Sequence, residues 1–242
     1  MSFRSVVFAL LLAAVLGCGR QEGPRHIVIL PDVSGSIDRK ALDQAFKAID
    51  EMVGRLHRGD RIAIIPILGD AEAEASGRII RFQVPTNRQA YDADLASFRR
   101  RLGTSLKEMQ DNAIAHPGAK TDILGSIVLA DQEFRAGQSE SERLFVILSD
   151  FIQEDREVDF RKDARLATVA SAKAFAIKTA KVNGFDFKKA RTYLGLLRSG
   201  EYAVMSRTRR EALQEFWIRY FQSSKTKPTF VADGPGLLKQ TH

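Results

Sequence analysis

The chain has 242 residues, of which 44% are hydrophobic and 28% charged, with a formal net charge of +7. That is enough apolar material for one packed globular domain, or at most two small ones, and it excludes wholesale disorder. A single cysteine excludes a disulfide framework, and no basic motif with interleaved aromatics points to nucleic acid.

The first eighteen residues, MSFRSVVFALLLAAVLGC, hold one arginine, Arg4, then an apolar stretch from Val6 to Leu16, then Gly17-Cys18. The stretch is short for a bilayer span and reads as the apolar region of a secretory signal peptide over residues 1–17. Its end, Val15-Leu16-Gly17-Cys18, resembles the bacterial lipobox. The resemblance implies cleavage before Cys18 and a diacylglycerol on its thiol, hence a lipid-anchored protein of the bacterial cell envelope. Gly19, where an Asp would retain such a protein, implies the outer membrane facing the periplasm if the cell is Gram-negative. Loss of residues 1–17 removes Arg4 alone, so +7 becomes +6, a balance that favours acidic partners or anionic lipid. Residues 18–24 form a lipidated cysteine and a short polar tether, and residues 25–242 show no linker that would split them.

From there strands and helices alternate. His26–Leu30 is a short Ile/Val-rich run, a buried strand. Leu42, Phe46, Ile49, Val53 and Leu56 recur at helical spacing over 39–57, with Asp38 placed as the N-cap. Arg61–Leu68 reads as a second strand, with Pro66 awkward in it, and Arg78–Val84 as a third. Tyr91, Leu95, Phe98, Leu102 and Met109 predict a long helix. The loop HPGAK at 116–120 leads to a helix over about 122–136. LFVIL at 144–148 is a strongly buried strand. An alanine-rich helix at 163–182, a strand at 192–197, a helix at 206–222 and a short strand at 229–231 complete the chain. This alternation predicts an α/β fold: a doubly wound, mostly parallel central sheet with helices on both faces.

In such sheets ligands collect at the carboxyl ends of the strands. After the first strand come Asp32, Ser34 and Ser36, in the sequence DVSGS. After LFVIL come Ser149 and Asp150. Thr121 stands between a glycine-containing loop and a helix. These residues offer carboxylate and hydroxyl oxygens, the donors of Mg²⁺, Mn²⁺ or Ca²⁺ rather than of zinc. Alternate positions turn Asp32, Ser34 and Ser36 toward one point, and Gly35 permits a tight backbone between the serines.

The set DVSGS after an apolar strand, GAKTDI and VILSD resembles the metal-ion-dependent adhesion site of von Willebrand factor type A domains. The resemblance covers roughly residues 25–200 and implies a three-layer sandwich of that kind. It implies Ser34 and Ser36 as direct hydroxyl ligands, Thr121 as a ligand of the high-affinity state, and Asp32 and Asp150 acting directly or through water. It also implies one coordination position open to a Glu or Asp of a partner protein. Such a module binds rather than catalyses. Phe151 departs from the glycine the family often has there, placing a bulky apolar group on the expected rim. Asp38 and Asp122 read as helix caps, and QEDREVDFRKD at 153–163 as a solvated connection or a partner-reading loop.

Several other features invite bland readings. Arg58-Gly59-Asp60 falls where Gly and Asp make an ordinary turn. The clusters Arg99–Arg101 and Arg207, Arg209 and Arg210 read as solvated helix faces, and Trp217 as core. The four histidines come with no nucleophile elbow that would complete a serine hydrolase. A haloacid-dehalogenase-like phosphatase also starts from a strand ending in Asp, but it needs a second Asp two residues on, where Ser34 stands. An envelope scaffold with a vestigial metal site is the remaining alternative.

Overall fold

A computed structural model describes residues 23–115, 120–137, 141–187 and 190–232; the leader, Cys18, His116, His242 and most of the HPGAK loop lie outside them. Among the described residues six strands form one sheet in the order β3-β2-β1-β4-β5-β6. They are β1 (Arg25–Pro31), β2 (Arg61–Ile64), β3 (Ile80–Gln83), β4 (Glu142–Ser149), β5 (Ala190–Leu196) and β6 (Pro228–Val231). All neighbours pair in parallel except β2 and β3. The α-helices among the described residues are α1 (Arg39–Val53), α2 (Arg88–Ala115), α3 (Ile123–Arg135), α4 (Val169–Asn183), the short α5 (Gly200–Val204) and α6 (Arg207–Ser223).

Ile27, Val28, Ile29 and Leu30 are each at most 1% exposed. Successive strand side chains point to opposite faces, so a run of four buried residues requires both faces of the sheet to be covered. Each such side chain contributes on the order of 2 kcal/mol of burial. The buried stripe of α1, from Leu42 to Val53, supplies part of that cover, and α4 and α6 pack against each other across an aromatic cluster that includes Phe175, Phe216 and Tyr220. The buried core is continuous over residues 27–231, so the described residues enclose their own interior.

The caps stand where the sequence places them. Asp38 accepts from the Ala41 N–H and Asp122 from the Gly125 N–H. The expected helix over 163–182 is broken instead. Asp163 caps a single 3₁₀ turn (Ala164–Leu166), and Thr168 with Ser171 then forms a capping box that starts α4 afresh at Val169. The helix stops at Gly184, whose φ of 61° is the left-handed conformation glycine adopts without strain.

Strand β2 ends at Ile64 by pairing with β3, but its chain stays beside β1: Ile65 N–H donates to Ile29 O and Ile67 N–H to Pro31 O. Pro66 falls between these donors, where no ladder bond to β1 needs its missing N–H. A π-helical turn (Ala71–Ala75) and a 3₁₀ turn (Ser76–Arg78) then intervene before β3, and the sequence pattern does not foretell them.

The Arg58-Gly59-Asp60 tripeptide is structural. Asp60 is 1% exposed and accepts from the Arg25 N–H and guanidinium and from the His57 N–H. Arg99, by contrast, meets Asp50 with both side chains 45% exposed. Asp60→Ala strands the Arg25 charge and is expected to lower stability by about 3–5 kcal/mol. Arg99→Ala is expected to cost less than about 1 kcal/mol. Urea unfolding of the two variants measures the difference.

Candidate metal centre

Asp32 is clamped where β1 runs out. Its N–H donates to Leu148 O on the β4 side at 2.8 Å, and it bridges Ile67 on the β2 side. The next turn folds back on its carboxylate. The Ser34 N–H and hydroxyl both donate to Asp32 Oδ1, at 3.0 and 2.6 Å, an Asx-type turn made by sequence neighbours. Since the Ser34 proton is committed to Asp32, the Ser36 hydroxyl donates to Ser34 Oγ at 3.0 Å. Among the described residues glycine takes positive φ at Gly59 and Gly184 and not at Gly35. The turn therefore does not use the conformational freedom anticipated for Gly35.

The β4 exit supplies the other half. Register pairs Pro31 with Leu148, so the residues after each meet. Ser149, which the sequence reading did not include among the ligands, donates its hydroxyl to Asp32 Oδ2 at 2.6 Å and accepts from the Phe151 N–H. Its position directly before the strand-ending Asp150 was the available signal. Asp150 is fully buried. Its Oδ1 accepts from the Ile152 N–H at 2.9 Å, while its Oδ2 has no hydrogen-bond partner.

Burial pushes both carboxylates above their ordinary range. For Asp32 the Ser149 and Ser34 hydroxyls oppose the shift without cancelling it. For Asp150 burial acts first and the neighbouring Asp32 charge second; the Ser199 hydroxyl and Ile152 N–H act the other way, and the result is about 7.

Thr121 reaches the same edge through its backbone. Its N–H and carbonyl exchange 2.9 Å bonds with Glu154. It does not share in the hydrogen bonds that join Asp32, Ser34, Ser36 and Ser149. Gln153, fully buried, holds this arrangement together: its Oε1 accepts from the Ile123 and Leu124 N–H groups and its Nε2 donates to Asp122 and Asp155. The 153–163 stretch is thus not a merely solvated connection. Phe160 is buried, and Arg161 ties Asp159, Glu154 and Glu201 together.

Phe151 is not on the rim. It is 1% exposed, packs on Trp217 and Phe230, and its carbonyl accepts from Trp217 Nε1 at 2.9 Å. Its φ is 64°, the left-handed region that glycine occupies freely and a phenylalanine at a cost of about 1–2 kcal/mol. The aromatic contacts offset that cost.

Among the described residues no three or more His, Cys, Asp and Glu side chains gather to hold a metal. The candidate set is two carboxylates and three hydroxyls, an all-oxygen donor set suited to a hard divalent cation. The Ser34 and Ser36 oxygens are 3.0 Å apart, close to the roughly 3.0 Å edge of an octahedron with metal–oxygen bonds of about 2.1 Å. The donor chemistry, this spacing and the unpartnered Asp150 Oδ2 all fit Mg²⁺ or a similar ion.

No protein-family model matches the chain, and no curated protein matches it. Solved structures do. The pilus adhesin SpaC from Lactobacillus rhamnosus GG, in its open conformation, aligns over 91% of this chain and 30% of its own, at 11% identity and a TM-score of 0.54. BatB from Bacteroides thetaiotaomicron aligns over 89% of this chain and 94% of its own, at 18% identity and 0.47. A von Willebrand factor type A protein from Catenulispora acidiphila aligns over 90% and 41%, at 16% identity and 0.47. The chain therefore spans well under half of two of these three. The chain shares with SpaC its fold, an α/β sandwich in which helices cover both faces of a mostly parallel sheet.

With cation removed by a chelator, the raised Asp150 pKa sets a pH dependence. The folded protein holds the proton that the unfolded chain releases near 3.8. The resulting stabilisation is complete below that value and is lost as pH rises through about 7. Thermal unfolding in EDTA should show a midpoint falling between these limits. Asp150→Asn should flatten that fall and be the more stable protein in EDTA at neutral pH.

Proposed function

We propose that the chain is a membrane-anchored binding module. It holds a divalent cation at the strand-exit edge and captures an acidic side chain of a partner protein. Ser34 and Ser36 are the direct hydroxyl ligands. Thr121 is the third hydroxyl, and Asp32 and Asp150 balance the charge. The observation that carries the reading is the pairing of two buried carboxylates, one with an unpartnered oxygen, beside two serine oxygens at ligand spacing. Burying like charges together is costly unless a cation joins them. Hydroxyl ligands leave such a cation under-neutralised, so a carboxylate from outside gains by completing its shell.

The fold shared with a pilus adhesin supports binding as the role. No second carboxylate stands two residues after Asp32 to serve as a phosphatase acid; Ser34 is there, donating to Asp32. The module has no reaction of its own. The lipobox-like end at Cys18 supplies the anchor, a diacylglycerol that holds residues 25–242 to the cell envelope.

Thermal unfolding with Mg²⁺, Mn²⁺, Ca²⁺ or EDTA tests the centre. A cation that binds only the folded state at a hundredfold excess over its Kd adds about 2.7 kcal/mol. The rise is expected in the native chain and absent in Asp32→Ala; no rise with any of the three ions defeats the reading. Thr121→Ala should leave the unfolding midpoint in EDTA unchanged and weaken Mg²⁺-dependent capture of an immobilised acidic peptide by tenfold or more.

A further inference from the structure

Thr121 meets the strand-exit edge through Glu154: each N–H donates to the other's carbonyl at 2.9 Å. Glu154 in turn bridges Asp159. Thr121 therefore lies beside a tight hairpin over 153–160, closed by Asp155 N–H to Val158 O at 3.0 Å and Phe160 N–H to Gln153 O at 2.9 Å. The acids of this hairpin converge on one cation. Arg161 donates through Nε to Asp159 Oδ1 at 2.8 Å and through Nη2 to Asp159 Oδ2 at 3.0 Å. The same guanidinium meets Glu154 Oε2 at 2.5 Å and Glu201 Oε1 at 3.0 Å. Glu201 stands in the first turn of α5, which Ser199 caps. The Ser199 hydroxyl also opposes the upward shift of the Asp150 carboxyl. Leu197, two residues earlier, donates its N–H to Ser149 O at 2.9 Å, next to Asp150. A path thus runs from Thr121 through Glu154, Arg161 and Glu201 to the chain that packs against Asp150.

We infer that Arg161 is a positioning residue of the candidate centre: by pinning Glu154 to α5 it holds Thr121 at a fixed separation from Asp150, and so sets the affinity for the cation. The inference rests on the proposed reading of Thr121 and Asp150 as parts of a cation site. Arg161 acts at one remove, since its partners are Glu154, Asp159 and Glu201. An isolated ion pair at 29% exposure contributes little, but a forked guanidinium shared by three carboxylates is a network, where such pairs do matter. Other contacts hold the ends of this stretch. Gln153 binds the start of α3, and Arg209 of α6 donates to the carbonyls of Phe160 and Asp163. The Glu154 side chain between them is held by Arg161. Without the guanidinium, the three carboxylates repel one another across the space it leaves, and the hairpin that carries Thr121 is pushed away from α5.

Calorimetric titration of the full chain with Mg²⁺ reads the affinity, and thermal unfolding in EDTA reads the stability separately. Arg161→Met keeps the aliphatic stem and removes the charge. Groups that orient metal ligands from outside typically change metal affinity by about 10–100-fold, so this variant is expected to bind Mg²⁺ about tenfold more weakly or worse. Arg161→Lys keeps the charge without the fork and should fall between it and the native chain. Lys162→Ala removes the same charge from the next residue, which is 82% exposed, and should leave the affinity unchanged. In a Thr121→Ala background the loss from Arg161→Met should largely vanish, because no hydroxyl remains to be misplaced. An arginine that serves stability alone would lower the EDTA midpoint and leave Mg²⁺ affinity as it was, or lower that affinity equally with and without the Thr121 hydroxyl; either result overturns the inference. If Arg161→Met does not fold, Glu201→Gln removes one arm of the network and carries the same test, with a smaller loss that is again absent beside Thr121→Ala. A native chain that takes up no Mg²⁺ defeats the cation reading itself, whereas native uptake that Arg161→Met leaves unchanged defeats this inference alone.

Discussion

Two carboxylates share a water-poor space at the tips of neighbouring parallel strands. The pairing of Pro31 with Leu148 makes this unavoidable, because the next residues of both chains emerge side by side. Asp32 takes up three hydrogen bonds from Ser34 and Ser149, and Asp150 takes what is left. Neither charge can be moved without changing the register of the central strands, whose own burial on both faces fixes that register. The electrostatic problem at the tip and the apolar solution in the core are therefore set by the same alignment.

The surrounding loops arrange themselves around that pair. Gln153 binds the start of α3 and the loop that carries Thr121, so the threonine is positioned from the β4 exit rather than from its own helix. The left-handed Phe151 peptide sits between Asp150 and Ile152, and Trp217 of α6 holds its carbonyl. The strand-exit edge is thus braced by residues far apart in sequence, which limits how far any one of these side chains can drift alone.

Much of this was legible in the sequence. Strands buried on both faces read as continuous Ile/Val/Leu runs, and β1 and β4 were plain for that reason. Asp38 and Asp122 were recognisable as caps from their position before a periodic segment. Asp32, Ser34 and Ser36 were legible because one turn brings neighbours together. The contributions of Ser149 and Gln153 were hidden, since each depends on which distant backbone it meets. Phe151 was misplaced because a departure from glycine says nothing about which way the side chain turns; the aromatic pocket of α6 and β6 decides that. The split between the 3₁₀ turn and α4 was missed because Asp163 and Thr168 are both competent caps and only the folded path selects the second.

Trp217 is the sole tryptophan of the chain. It is fully buried, and its indole N–H donates to the carbonyl of Phe151, the residue after Asp150. The protein therefore carries a built-in optical reporter one peptide away from the candidate centre. A change in the geometry of that peptide alters the indole's hydrogen bond and its contact with Phe151, and with them the colour and yield of its ultraviolet emission. Events at the strand tips can be followed in the native chain, without a label and against no background from a second indole.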